Sequence, residues 1–231
     1  MIITIDGPAG SGKSTVARQL ADQLGFHFLN TGAMYRAIAL QCVRASLDLD
    51  DDEAVAQRAA ETSISFPNDR PHVDGEDVTE TLRGEAVSKA ASRVAMNPRV
   101  RERLVELQRQ TAYGKHVVTE GRDQGTVVFP EAEFKVFLTA SAETRARRRF
   151  AELAAIDDCA REDVQYEEVL GQIRERDDRD ANRALAPLRP ADDAVFVDTS
   201  ELTIDEAVRT IRVLFEQRRR GLPSSVEAGK T

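Results

Sequence analysis

Gly7-Pro8-Ala9-Gly10-Ser11-Gly12-Lys13-Ser14-Thr15 fits the pattern G-x-x-x-x-G-K-[ST] without a mismatch. The chemistry open to such a stretch is phosphate binding. Its glycines let the backbone curl so that N–H groups point inward, and a helix starting at the end of the loop adds positive potential. Lys13 would reach the β- and γ-phosphates of a nucleoside triphosphate, and the Ser14 hydroxyl would bind Mg²⁺. Two further stretches carry charge in useful patterns. Glu120-Gly121-Arg122-Asp123-Gln124-Gly125-Thr126 sets an acid, a base and another acid between glycines, directly after the apolar run His116-Val117-Val118-Thr119. In Arg174 to Arg183, the residues Arg176, Arg179, Asp180 and Arg183 fall at i, i+3, i+4 and i+7, which is one helical face. That face fits either a surface helix laced with ion pairs or a closing segment whose guanidiniums clamp phosphoryl oxygens. Beside a phosphate loop, the clamp is the expectation. Arg145, Arg147, Arg148 and Arg149 read instead as the solvated side of a helix.

These groups need elements to hold them. Met1–Ile5, Phe26–Asn30, His116–Thr119, Phe134–Leu138 and Ala194–Asp198 read as buried strands. Helices are expected over Ser14–Leu24, from Thr31 to about Val43, over Glu53–Thr62, after Leu138, across 174–183 and over Leu202–Gln217. Ile204, Ala207, Val208, Ile211, Val213, Leu214 and Phe215 supply the apolar side of the last one. Five strands alternating with helices predict an α/β fold, a five-stranded parallel sheet flanked by helices. Ligands in such sheets sit beyond the carboxyl ends of the strands, which singles out Thr31 and Arg36 at the exit of the second. The pattern changes between residues 63 and 112. Ser63–Phe66 and His72–Val78 read as short polar strands around the turn 67–71, and Thr79–Ala112 as helical with a break near Asn97-Pro98. This is a small insert. The core is then 1–62 with 113–217, and 218–231 reads as a flexible tail.

Composition bounds the partners. A 231-residue chain with a formal charge of −8 presents no global basic field, so no nucleic-acid or membrane-surface partner is expected. Cys42 and Cys159 are too few for a disulfide framework or a zinc site. No apolar run approaches the ~20 residues of a membrane span, and no secretory signal opens the sequence, so a cytoplasmic protein is expected.

Six motifs together resemble bacterial-type cytidylate kinase, a P-loop nucleoside monophosphate (NMP) kinase family. They are G-P-A-G-S-G-K-S-T at 7–15, T-G-A-M-Y-R at 31–36, G-E-D-V at 75–78, N-P-R-V-R-E at 97–102, E-G-R-D-Q-G-T-V-V-F-P at 120–130 and R-E-R-D-D-R-D-A-N-R at 174–183. The likeness runs from Ile2 to Leu214. It implies transfer of the γ-phosphoryl of ATP, with Mg²⁺, to CMP or dCMP. It also implies that 63–112 is an NMP-binding insert, that about 152–169 is a lid, and that the protein is a monomer. Residue by residue, it implies that Thr31, Ser92, Arg101 and Asp123 surround the cytosine. Arg36, Arg122 and Arg183 would hold the acceptor phosphate, and Arg176 and Asp180 would reach the ribose. Lys13, Arg122, Arg176 and Arg183 would carry the catalytic charge, with Ser14 on the metal and Glu120 or Asp123 ordering its water. Two other readings stay open: a related kinase with another acceptor, or a nucleotide-dependent binding module.

Overall fold

The computed structural model describes residues 1–156 and 166–221. The middle of the expected lid, 157–165, and most of the expected tail, 222–231, lie outside them. In chain order the elements are β1 (Ile2–Asp6), α1 (Lys13–Leu24), β2 (His27–Asn30), α2 (Thr31–Arg44), α3 (Asp52–Glu61), β3 (Ile64–Ser65), β4 (His72–Val73) and β5 (Glu76–Asp77). There follow α4 (Glu85–Val94), α5 (Pro98–Ala112), β6 (Val117–Gly121), a single π-helical turn (Gln124–Val128) and β7 (Phe134–Thr139). Last come α6 (Ala142–Ile156), α7 (Tyr166–Asn182), β8 (Val195–Asp198) and α8 (Ile204–Arg219).

The main sheet has five strands in the order β2-β6-β1-β7-β8. β1 is central, parallel to β6 with Asp6 opposite Gly121, and parallel to β7 with Asp6 opposite Phe137. β7 in turn pairs with β8, setting Thr139 opposite Asp198. Ile3 and Ile5 are fully buried, as a strand covered on both faces requires. A capping box at Thr203-x-x-Glu206 starts α8: the Thr203 hydroxyl accepts from the Glu206 amide, and the Glu206 carboxylate accepts from the Thr203 amide at 2.9 Å. Ala207, Val208, Ile211, Leu214 and Phe215 of α8 are buried, Phe215 against Phe134 at 5.6 Å between ring centroids. Val213, expected on the apolar side, faces solvent at 47% exposure, because it lies two residues from Ile211 and so on another side of the helix.

The chain divides into two compact units, Met1–His27 with His116–Thr231, and Phe28–Lys115. The expected insert lies within the second, which also takes in α2 and α3 because α2 packs on α4 and α3 on α5. The polar stretch His72–Val78 is a hairpin and not the single strand expected. Asp74 (φ 51°) and Gly75 (φ 87°) both adopt left-handed backbone, which turns β4 back into β5 and completes a three-stranded antiparallel sheet with β3.

The packing of α8 generates a contrast. Ile211→Ala should destabilise the protein by about 2–5 kcal/mol, while Val213→Ala should change stability by no more than about 0.5 kcal/mol. Urea-denaturation midpoints of the two variants check it.

Candidate active site

Within the first unit, the loop 7–12 leaves the carboxyl end of β1 and enters α1. Gly7 permits no side chain, since a Cβ there would lie 1.9 Å from the Leu138 carbonyl oxygen. Gly12 caps α1 with φ 89° and offers its first amides no side-chain acceptor, so they remain donors for an anion. The loop is braced from outside. The Thr199 hydroxyl donates to the Ser11 carbonyl at 3.2 Å, and Arg145 donates to the Ala9 carbonyl at 3.1 Å. Lys13 is buried, and its ammonium donates to the Pro8 carbonyl at 2.6 Å. Burial, then the charges of Arg122 and Arg176, push its pKa well below the ordinary lysine value against the pull of Glu120. These cations concentrate positive potential of the kind a polyphosphate neutralises. The Ser14 hydroxyl donates to Glu120 at 3.1 Å, which joins the last side chain of the loop to the end of β6.

Asp180 organises the arginines. It accepts from the Arg122 Nε at 2.8 Å, with the two side chains 15% and 18% exposed. Burial opposes its ionisation, but Arg122, then Arg176 and Arg183, outweigh it and hold the carboxyl below its usual range. The expected face 176, 179, 180, 183 is therefore split. Arg179 pairs with Glu175 at 2.5 Å toward solvent, and Arg183 lies just beyond the end of α7, its Nε donating to the Ala186 carbonyl at 2.6 Å.

In the second unit, Thr31 is buried as the first residue of α2, and Asn30 is the cap, its side chain accepting from the Ala33 amide at 2.9 Å. Arg36 folds back over the start of that helix, its guanidinium 3.5 Å from where a Cβ on Gly32 would sit. Asn97 caps α5 by accepting from the amides of Arg99 and Val100, with Pro98 at the first helical position. This presents Arg101 from the first turn, buried, with its guanidinium carbon 6.0 Å from the Tyr35 ring centroid. Ser92 sits half-buried on α4.

Sequence reading missed three groups. Arg145, expected on a solvated face, is buried: it forks onto Asp177 at 2.6 and 3.0 Å, and its Nε donates to the Ala140 carbonyl. Arg148 grips the Thr199 carbonyl at 2.5 Å, whereas Arg147 is exposed as expected. The third is Asp6, buried at the end of β1, where it accepts from the amides of Gln124 at 2.8 Å and Gly125 at 2.7 Å. Its position at the carboxyl end of a parallel strand was the signal. Burial raises its pKa from 3.8 to about 6 despite those two amides.

A model of the cytidylate kinase family matches residues 3–217. The cytidylate kinase of Pelotomaculum thermopropionicum is 53% identical over 214 residues, covering 90% of this chain and 93% of the relative. That of Aeromonas hydrophila is 47% identical over 221 residues, covering 94% of each. Among solved structures, an uncharacterized protein from Eubacterium ventriosum aligns with a TM-score of 0.51 at 14% identity, over 94% of this chain and 98% of that one, a likeness of fold alone. No helix among the described residues is long and apolar enough to cross a membrane.

The raised pKa of Asp6 has a testable sign. Between pH 3.8 and about 6 the folded protein keeps a proton that the unfolded chain has released, so this group's contribution to stability is present below that window and is lost as pH rises through it. The loss amounts to about 3 kcal/mol, at roughly 1.4 kcal/mol per pKa unit. The stability of Asp6→Asn relative to wild type should therefore rise by up to about 3 kcal/mol from pH 4 to pH 7. Urea titrations of both proteins across that range measure it, and a flat difference would contradict it.

Proposed function

The chain belongs to the cytidylate kinase family, and from that premise we propose that it transfers the γ-phosphoryl group of ATP to CMP or dCMP, giving CDP or dCDP and ADP. It acts as a monomer on these small-molecule substrates. The observation that carries the reading is the convergence of Lys13, Arg122, Arg176 and Arg183 on the phosphate loop and Asp180, in a chain matched by that family from residue 3 to 217.

The loop amides and Lys13 hold the β- and γ-phosphates of ATP. Ser14 is the residue that would hold Mg²⁺, with Glu120, hydrogen-bonded to it, ordering the surrounding water. Hydroxyl and carboxylate oxygens suit this hard cation, which keeps several waters and takes other ligands from phosphate. Among the described residues no cluster of three or more metal-ligating side chains competes for that part. When bound, the ion spreads charge away from the β- and γ-oxygens. Arg36, Arg122 and Arg183 bind the acceptor phosphate, one of whose oxygens attacks the γ-phosphorus while its bond to the β-bridging oxygen breaks. Phosphoryl transfer needs positioning and charge neutralisation more than a covalent group, and fixed guanidiniums supply both. Arg176 and Asp180 reach the ribose, and Thr31, Ser92, Arg101 and Asp123 read the base.

The arginines give one prediction. Arg176→Ala and Arg183→Ala should each lower kcat/KM for CMP by ~10²-fold or more, as losing a fixed charge donor at a transition state does. Arg179→Ala, which breaks only a solvent-facing pair, should stay within about twofold. Equal losses in all three variants would make this helix structural.

Base choice gives another. Cytosine offers an amino donor where uracil offers an acceptor, so UMP would set its O4 against the Asp123 carboxylate. A site built around a hydrogen bond penalises a ligand that leaves its groups unpaired. ADP release measured across CMP, dCMP, UMP, AMP, GMP and shikimate should favour CMP over UMP by at least ~10²-fold in kcat/KM, roughly 3 kcal/mol. Asp123→Ala should narrow that ratio; an unchanged ratio would show that another group reads the base. Slow hydrolysis unstimulated by any acceptor would instead mark a nucleotide-dependent binding module.

A further inference from the structure

Arg122 and Asp123 form a stretch of only two residues between the end of β6 and the π-helical turn that starts at Gln124. Both flanks of that stretch meet the same residue. On one side, Gly121 stands opposite Asp6 in the register of β6 with β1. On the other, the amides of Gln124 and Gly125 each donate to a different oxygen of the Asp6 carboxylate, at 2.8 and 2.7 Å. These are first-turn amides, which a helix leaves without internal partners, and Asp123 supplies no side-chain cap for them. Asp6 does that from a neighbouring strand.

The rest of the turn is pressed close. A Cβ on Gly125 would lie 2.9 Å from the Thr4 hydroxyl and 3.2 Å from Lys135 Cδ, so the backbone lies directly on the side chains of β1 and β7. The Thr119 hydroxyl holds the Gln124 side chain at 2.9 Å. Lys13 and Asp123 are the charged groups that act on Asp6 itself, with opposite signs. Burial disfavours the ionised form of this carboxylate, while the two amides favour it.

We propose that Asp6 is the positioning residue for Arg122 and Asp123, its backbone holding one end of that stretch and its carboxylate the other. The inference rests on the reading above that these two residues serve the acceptor nucleotide. Asp6 touches neither substrate and acts through the loop. Its loss therefore weakens the handling of CMP and leaves the phosphate loop competent, even though Gly7 is its chain neighbour. Asp6→Asn is the sharpest probe, because it keeps the shape and replaces one acceptor oxygen by an N–H₂ that opposes an amide donor.

The test uses the full chain at pH 7.5, comparing wild type with Asp6→Asn. Amide hydrogen exchange is followed in the segments 121–128 and 7–15, alongside KM and kcat for CMP and the Kd of MgADP. Expected are at least ~10-fold faster exchange in 121–128 with little change in 7–15, a CMP KM raised at least ~10-fold, and a MgADP Kd within ~3-fold of wild type. The proposal is overturned by unchanged exchange in 121–128. An unchanged CMP KM overturns it too, as does a MgADP affinity that falls as far as the CMP KM rises. Gly125→Ala, which must displace the Thr4 hydroxyl and lift its amide from Asp6, is held to the same outcomes if Asp6→Asn does not fold. Should the wild-type chain fail to turn over CMP, the reading of the reaction fails, and the exchange measurement still decides the role of Asp6.

Discussion

The double pairing of β1 is the constraint on which this architecture rests. A parallel sheet delivers every strand's carboxyl end to the same edge, and the register here brings Asp6 level with Gly121 on one side and Phe137 on the other. The phosphate loop therefore begins beside the segment that carries Arg122 and Asp123. At Gly7 no tolerance remains, because the carbonyl of Leu138 occupies the space a side chain would need. The loop is held by Thr199 and Arg145 around it and by its own Ser11 and Lys13, which both donate to the Pro8 carbonyl. Preorganised amides of this kind spend no energy on rearrangement when an anion arrives, which is why they stabilise charge well.

Burial works against ionisation at two groups that flank the loop of the first unit. Lys13 is held below its usual range by burial and by like charges, and Asp6 above its own. Arg122 and Arg176 act on Lys13 as like charges, so the three form a cluster that needs compensation. Asp180 supplies part of it. Its pair with Arg122 is largely screened from water, where removing one partner costs up to about 3–5 kcal/mol, whereas a solvent pair such as Arg179–Glu175 contributes about 0.2–1 kcal/mol. Groups whose ionisation the fold resists are expected where charge must be handled, and here they surround one loop.

Local signals were legible in the sequence and distant ones were not. All five strands of the sheet stand within two residues of where short apolar runs placed them, and the turn of Asn97-Pro98 into α5 follows from one capping side chain and one fixed φ. The Asp74-Gly75 turn was equally local and was overlooked, although that dipeptide is a strong hairpin signal. Arg145 is a different matter. Four arginines in five positions look alike along the chain. The one that is buried is chosen by partners 136 and 32 residues away, Ala9 and Asp177. Asp6 likewise becomes legible only once β6 is known to lie beside β1, since its two donors are 118 and 119 residues distant. The motif spacing puts Arg176, Arg179, Asp180 and Arg183 on one helical face, but the division of that face between a largely buried ion pair and a solvent pair needed the fold.

That division has a mechanical source. α7 is held to α6 at its amino-terminal half by apolar packing, with Ala146 against Val169, Leu170 and Ile173, and with Phe150 and Tyr166 at the rim. Farther along, the hold passes to charge: Arg174 meets Glu143 in solvent, and Asp177 takes both outer nitrogens of buried Arg145. The same guanidinium donates to Ala9 in the phosphate loop and to Ala140 at the start of α6. A lysine could not replace it, because one ammonium on a flexible stem cannot satisfy a carboxylate in fork geometry and two carbonyls in fixed directions. Arg145 thus ties the phosphate loop, the entry to α6 and the middle of α7 to one planar group, and Asp177, which it holds, is the chain neighbour of Arg176.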